Sequence, residues 1–214
     1  MMEPAFIADT RAGYDVMARE YAARFADATG VNPWDRAMLT AFAGVVDGPV
    51  VDVGCGPGAI TALLSDLGVD VFGVDLSPRT VELTRARYPE LRFEVGSMTA
   101  LDVPDGSLGG VAALYSIIHV PADYVPGVLA EFARVLRPGG HLILAFQVGD
   151  ETRHRDEAFG HAISVDWHRR QPDTIATLLA AAGFETRVRM VREPQADYES
   201  TAQAYMVARR ASPS

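Results

Sequence analysis

Three glycines, Gly54, Gly56 and Gly58, stand in the segment VVDVGCGPGAIT directly after a run of valines. Residues without a Cβ let backbone come close to a bound molecule. The same stretch fits the dinucleotide pattern G-x-G-x-x-[G/A], with Gly54, Gly56 and Ala59 in register. Asp75 closes the next apolar run, where a carboxylate accepts hydrogen bonds from both hydroxyls of a ribose. Both features suit NAD as well as other nucleosides, so three further details decide between them. Asp52, two residues before the first glycine, repels a pyrophosphate but tolerates an ammonium or a sulfonium. Pro57 removes an N–H from the loop that would otherwise cradle phosphate. A second domain to carry a nicotinamide substrate is not expected. The loop is therefore expected to hold a cationic nucleoside rather than a dinucleotide.

The next candidate is His119, in SIIHVP after an apolar strand, a place suited to a base or a substrate contact. Its bland alternative is a histidine bonded locally before Pro121. His154, His161 and His168 recur at sevens among acids. That is not the i, i+4 pair of a helical metal site, and no metal is expected there. Cys55 reads as a small loop residue rather than a nucleophile, and His141, opening a strand, as structural. Tyr14 and Tyr21 share one helix face, which suits a place in the core. Trp167, Tyr198 and Tyr205 suit either an aromatic substrate pocket or ordinary packing.

These residues need a scaffold. Tyr14, Met17, Ala18, Tyr21, Ala22 and Phe25 fall at helical spacing, predicting a helix over about 13–26. Asn32-Pro33 reads as cap and first turn of a second helix carrying Met38, Leu39 and Phe42. After the turn Asp47-Gly48-Pro49, strands and helices alternate. Strands are expected at 50–53, 69–74, 91–95, 110–115 and 142–147, with helices after the first, second and fourth. Residues 148–166 lack clear periodicity and read as a long polar loop, a kind that is more often functional than idle. A helix over 172–182 and two antiparallel strands, 184–192 and 203–210, complete a doubly wound α/β architecture.

The bulk numbers bound the rest. At 214 residues, one domain is expected, with 1–47 as a helical cap and 48–214 as the core. A hydrophobic fraction of 49% and a charged fraction of 22% suit a globular chain that buries a sizeable core. A net charge of −9 argues against nucleic acid, since the best basic candidate, Arg169-Arg170, is a pair rather than a stripe. No basic n-region followed by an apolar run stands at the start, and no apolar stretch is long enough for a membrane span. One cysteine allows no internal disulfide. A soluble cytoplasmic protein is expected, with no nucleic-acid or membrane partner; its oligomeric state is not legible.

VVDVGCGPGAIT, VFGVDLSP, EVGSMTALDVPDGSL and EFARVLRPGGHLILAF, in this order and spacing, make the chain resemble the class I S-adenosylmethionine-dependent methyltransferases. YDVMAREY looks like the cofactor-capping helix of the small-molecule branch, near ubiquinone- and menaquinone-type enzymes. The resemblance implies a Rossmann-like, mostly parallel seven-stranded sheet with an antiparallel last strand. It implies S-adenosylmethionine as cofactor, S-adenosylhomocysteine as product, and a small-molecule acceptor at oxygen, nitrogen or carbon. Gly54, Cys55 and Gly56 would then lie against the amino-acid end of the cofactor, near Asp52. Asp75 would hold the ribose and Leu76 the adenine, which Ser97 and Met98 would flank. Tyr115 and Ser116 would line the methionine side, and Tyr14 and Tyr21 the lid. Two positions depart from the family's pattern: Ser97 replaces a usual acid, and Leu108-Gly109-Gly110 stands where Phe-Asp is common. The alternatives are a protein of this fold that binds the cofactor without methylating, as binding module or cyclase, and an NAD oxidoreductase.

Overall fold

The computed structural model describes residues 3–195 and 199–212. Helices α1 (Ala5–Phe25) and α2 (Pro33–Ala43) come first, followed by β1 (Val50–Val53), α3 (Ala59–Asp66), β2 (Val71–Asp75), α4 (Pro78–Arg87) and β3 (Phe93–Val95). Next are β4 (Leu108–Leu114), α5 (Val125–Val135), β5 (Leu136–Gln147) and a hairpin of β6 (Thr152–Ala158) and β7 (His161–His168). The chain closes through α6 (Pro172–Ala181), β8 (Phe184–Arg192) and β9 (Gln203–Arg210). The main sheet runs β3-β2-β1-β4-β5-β9-β8, parallel throughout except for β9, which is antiparallel to both neighbours. The expected seven-stranded sheet with an antiparallel last strand is the one formed. β9 lies inside the edge rather than on it, because its six residues Gln203–Ala208 are buried and need cover on both sides.

Alternation along each strand sorts the two layers. Val51, Val53, Val111 and Leu144 face α5 and α6 through Val128, Phe132 and Leu179. Val50, Ala112 and Ile143 face α2 and α3 through Leu39, Phe42 and Leu64. Helix starts follow the predicted chemistry: the Asn32 side chain accepts from the Trp34 N–H, and the Ser77 side chain accepts from the Thr80 N–H. No helix among the described residues is long and apolar enough to cross a membrane.

Two expectations change. Residues 148–166 are not a loop: most of them form the β6–β7 hairpin, turned by Phe159 and Gly160, both at positive φ. The apolar residues Ile163, Val165 and Trp167 alternate with Ser164, Asp166 and His168, a period-2 signal confined to one strand. Helix α1 starts at Ala5 rather than near 13, because its buried face begins Ile7, Thr10, Gly13, Met17 and two of those four are a threonine and a glycine. Gly13 has a packing reason: a Cβ there would stand 2.5 Å from Val165 Cγ2, so its absence lets α1 lie on β7. At its other side α1 packs on α4, where the Asp15 carboxylate accepts from Ser77 Oγ at 2.6 Å and from the Arg79 N–H at 3.1 Å. Helix and hairpin together roof the carboxyl ends of β1, β2 and β4.

The Gly109-Gly110 departure is explained by the same kind of contact. The Asp47–Pro49 turn lies flat on the start of β4, with the Gly109 N–H donating to the Pro49 carbonyl at 2.8 Å. Any side chain at 109 or 110 would occupy the turn, Val50 or Phe42.

Candidate active site

A cavity of about 820 Å³ opens beneath α1 and the hairpin, at the carboxyl ends of the central strands. The β1–α3 loop forms one wall. Its amides are spent within the protein: Gly54 and Cys55 donate to the Val74 carbonyl, Gly56 to Asp75 Oδ2, and Gly58 to the Cys55 carbonyl. Pro57 has no N–H, so the loop keeps no donor for phosphate between 54 and 58. The anion position at the start of α3 is also filled from within. Asp52 Oδ2 accepts from Thr61 Oγ1 at 2.7 Å, beside a further bond to the Thr61 backbone. Gly54 is at φ +71 and a Cβ there would meet Ser116 Cβ at 2.4 Å; one on Gly56 would approach the Tyr21 ring at 3.4 Å.

Asp75 Oδ2 accepts from Gly56 and Oδ1 from the Ser77 N–H, each at 2.9 Å, which fixes the carboxylate at the cavity wall. Burial pushes its pKa up against those two bonds. Burial raises Asp52 further, to about 7. The linkage has a definite sign: a carboxyl whose folded pKa lies above its unfolded 3.8 makes the fold less stable as pH rises. We expect the thermal stability of Asp52→Asn to gain on the native chain between about pH 4 and pH 7 and to hold that lead above. A lead independent of pH would show that Asp52 is ionised at all these pH values.

The wall opposite carries His119, in the 3-10 turn Ile117–His119 held by the buried Arg170, which donates to the carbonyls of Ile117 and Val120. His119 Nδ1 is 3.0 Å from the Asp166 carbonyl, which only accepts, so this nitrogen bears the proton. Nε2 therefore accepts from the Tyr14 hydroxyl at 2.9 Å. Burial pushes the imidazole pKa down to about 4, leaving it neutral at pH 7. Tyr14 and Tyr21 meet edge to face at 5.2 Å and both line the cavity.

Leu76, Ser97, Met98, Tyr115 and Ser116 also line it. Ser97 Oγ accepts from the Thr99 N–H and lies 2.8 Å from Thr99 Oγ1, so its bonding capacity is partly used. Ser116 Oγ is buried without a partner. The Cys55 backbone belongs to the wall, while its thiol packs with Val81 and Phe93, and burial raises its pKa well above the ordinary value. Tyr205 is fully buried, donating to Asp35 at 2.6 Å, and so belongs to the packing; Trp167 lines the cavity, and Tyr198 lies outside the described residues.

The remaining histidines are dispersed: His154 is 2.8 Å from Asp166, His161 3.3 Å from Glu20, and His168 2.8 Å from Thr152. Arg169 and Arg170 form no basic patch. The first pairs with Glu151 at 2.5 Å and the second is buried on carbonyls. Asp35, Arg153, Arg155 and Arg169 also line the cavity. The alternation Arg153, Arg155 on one hairpin strand was their only local signal.

Residues 50–140 match the family model described as a methyltransferase domain. Demethylmenaquinone methyltransferase of Beutenbergia cavernae is 40% identical over 112 residues, 52% of this chain and 46% of that protein. A probable S-adenosylmethionine-dependent methyltransferase of Mycolicibacterium smegmatis is 33% identical over 140 residues, 64% of this chain and 51% of that protein. The chain spans about half the length of the curated relatives it matches. Among solved structures, 1,6-didemethyltoxoflavin-N1-methyltransferase of Burkholderia thailandensis, with 1,6-didemethyltoxoflavin and S-adenosylhomocysteine bound, superposes with a TM-score of 0.74 at 24% identity, covering 99% of this chain and 92% of that one. The CcbJ methyltransferase of Streptomyces caelestis gives 0.71 at 18%, covering 94% and 98%. A methyltransferase-domain model thus matches residues 50–140, and the whole chain shares the fold of these solved methyltransferases.

Proposed function

We propose that the protein transfers the methyl group of S-adenosylmethionine to a small-molecule acceptor held under α1 and the hairpin. One observation carries this reading: a loop with no amide left for phosphate sits beside a fixed ribose-type carboxylate, and both face the same cavity as the Tyr14–His119 pair. The residues fit the cofactor. The bare Gly54 and Gly56 let Ser116 and the Tyr21 ring close on the loop, and the buried Ser116 hydroxyl at this wall still lacks a partner.

When bound, S-adenosylmethionine supplies a methyl already activated by its sulfonium, so the protein has to align the acceptor and keep water away. In this reading Asp75 accepts both ribose hydroxyls. Leu76 and Met98 give the adenine apolar faces, and Ser97 offers it one weak polar contact. Asp52 places its carboxyl beside the cationic end, whose charge favours the ionised form against the burial that raises its pKa. Tyr14 and Tyr21 close the roof. His119 has both nitrogens engaged, so a proton leaving the acceptor reaches it through Tyr14: the phenol oxygen takes that proton as its own hydrogen passes to Nε2. An imidazole whose pKa is about 4 is a weak base, which suits a nucleophile that is already acidic.

Calorimetry with S-adenosylmethionine, S-adenosylhomocysteine and NAD tests the cofactor, and formation of S-adenosylhomocysteine with candidate metabolites tests transfer. Both sulfur ligands are expected to bind and NAD not to bind. NAD binding alone would overturn the reading. Once an acceptor is known, Tyr14→Phe and His119→Ala should each lower kcat roughly tenfold to a hundredfold, the low end of a positioned base, with S-adenosylhomocysteine affinity within about twofold. Unaltered turnover would remove His119 from the chemistry.

A further inference from the structure

Beyond the cofactor wall, the cavity continues to the β6–β7 hairpin and the segment 199–203. All 19 basic side chains of this chain are arginine, in a protein of net charge −9, and three of them, Arg153, Arg155 and Arg169, line this end. Their carboxylate partners do not balance them. Arg169 takes Glu151 at 2.5 Å, and Arg153 reaches the same carboxylate only at 3.8 Å. Arg155 has no ion pair among the described residues; its guanidinium lies 4.9 Å from the ring centroid of Trp167. A stacked guanidinium keeps its N–H fork edge-on for a planar oxyanion. The nearby acids are otherwise committed: Glu199 is held by both terminal nitrogens of Arg192, and Asp35 accepts the hydroxyls of Tyr205 and Tyr115.

Register makes this one surface. Arg153 pairs with Trp167 across the hairpin, and Arg155 with Val165, so both exposed arginines lie on the face that carries Trp167 and Val165, and both line the cavity. Trp167 also stands 6.5 Å from the His119 ring, which connects the arginine end to the Tyr14–His119 end.

Resting on the methyltransferase reading, we infer that the acceptor is a flat, unsaturated small molecule carrying a carboxylate, gripped at that group by Arg153 and Arg155 and lying along Trp167. Such an acceptor keeps its charged edge at the mouth and its ring inward, towards the methyl-transfer end. Both His119 nitrogens being occupied is consistent with an acceptor that needs little help to ionise.

The test uses 3-hydroxy-2-naphthoate and 2-hydroxybenzoate as probes, each against its neutral amide, titrated into the full chain with and without saturating S-adenosylhomocysteine. Calorimetry and quenching of Trp167 fluorescence in a Trp34→Phe background read the binding. The carboxylates are expected to bind roughly tenfold or more tightly than the amides, the scale of one charge-assisted hydrogen bond. Arg155→Ala and Arg153→Ala should each erase most of that preference, and Arg155→Glu all of it, with S-adenosylhomocysteine affinity unchanged. Equal binding of acid and amide, or a preference that survives Arg155→Glu, overturns the inference and leaves the methyltransferase reading standing. Carboxylate binding without any S-adenosylhomocysteine binding does the reverse: an anion site remains, and the methyl-transfer role is lost.

Discussion

Replacing Asp75 with alanine is expected to weaken S-adenosylhomocysteine binding by roughly a hundredfold or more, about 3 kcal/mol, as two hydrogen bonds to a charged acceptor are lost. The carboxylate has two tasks. It faces the cavity, and it satisfies the amides of Gly56 and Ser77, which pin the glycine loop to the start of α4. Alanine leaves both amides without their acceptor, so the loop loses its set position as well as the proposed ribose partner. Asp75→Asn separates the tasks: its shape is kept, but its NH2 group must face one of the two N–H donors. Titration calorimetry should rank the native chain above Asn, and Asn above Ala. Native affinity in Asp75→Ala would mean that the ribose is held elsewhere.

Gly109→Ala should be the most damaging single methyl in the chain for folding, at about 3 kcal/mol or more, within the range of severe steric substitutions. Its Cβ would fall 1.8 Å from the Asp47 carbonyl oxygen and 2.6 Å from the carbon. Both are backbone atoms of a turn anchored by the Gly109 and Gly110 amides on Pro49 and by Arg137 on Asp47. No rotamer change relieves the clash, so the turn must lift from β4. Gly127 in α5 makes the control, since a Cβ there meets nothing within 4 Å and its φ is ordinary. Gly127→Ala should stabilise by roughly 0.5–1 kcal/mol through helix propensity. Urea unfolding compares the two, and equal midpoints would refute the steric account.

Some of the site was legible because its signals are local. VVDVGCGPGAIT announces a buried strand, a tight loop and a helix within twelve residues, and Asp75 closes a second strand of the same kind. Asn32 and Ser77 cap helices through their own neighbours, so their roles needed no tertiary knowledge. The hairpin was not legible in this way. Its first strand, TRHRDEA, is exposed along nearly all its length and carries no apolar period. Only its pairing with β7, and the packing of β7 on α1, makes it a strand. The first two turns of α1 were hidden for a related reason: Thr10 and Gly13 are buried by contact with the hairpin, which lies far along the chain.

By itself the sequence determined the order of strands and helices outside the hairpin, the glycine loop with its carboxylate, and the lack of an N–H at Pro57. These follow from residue type and short spacing, which set backbone conformation and donor supply within a few residues. Only the tertiary structure decided that Asp52 occupies the start of α3, that His119 is a neutral acceptor for Tyr14, and that Gly109 is bare to admit a turn. It alone brought Arg153, Arg155 and Trp167 to the mouth of the cleft. Each of these depends on which atom of a distant element fills the last few ångströms, and close packing sets that contact by contact.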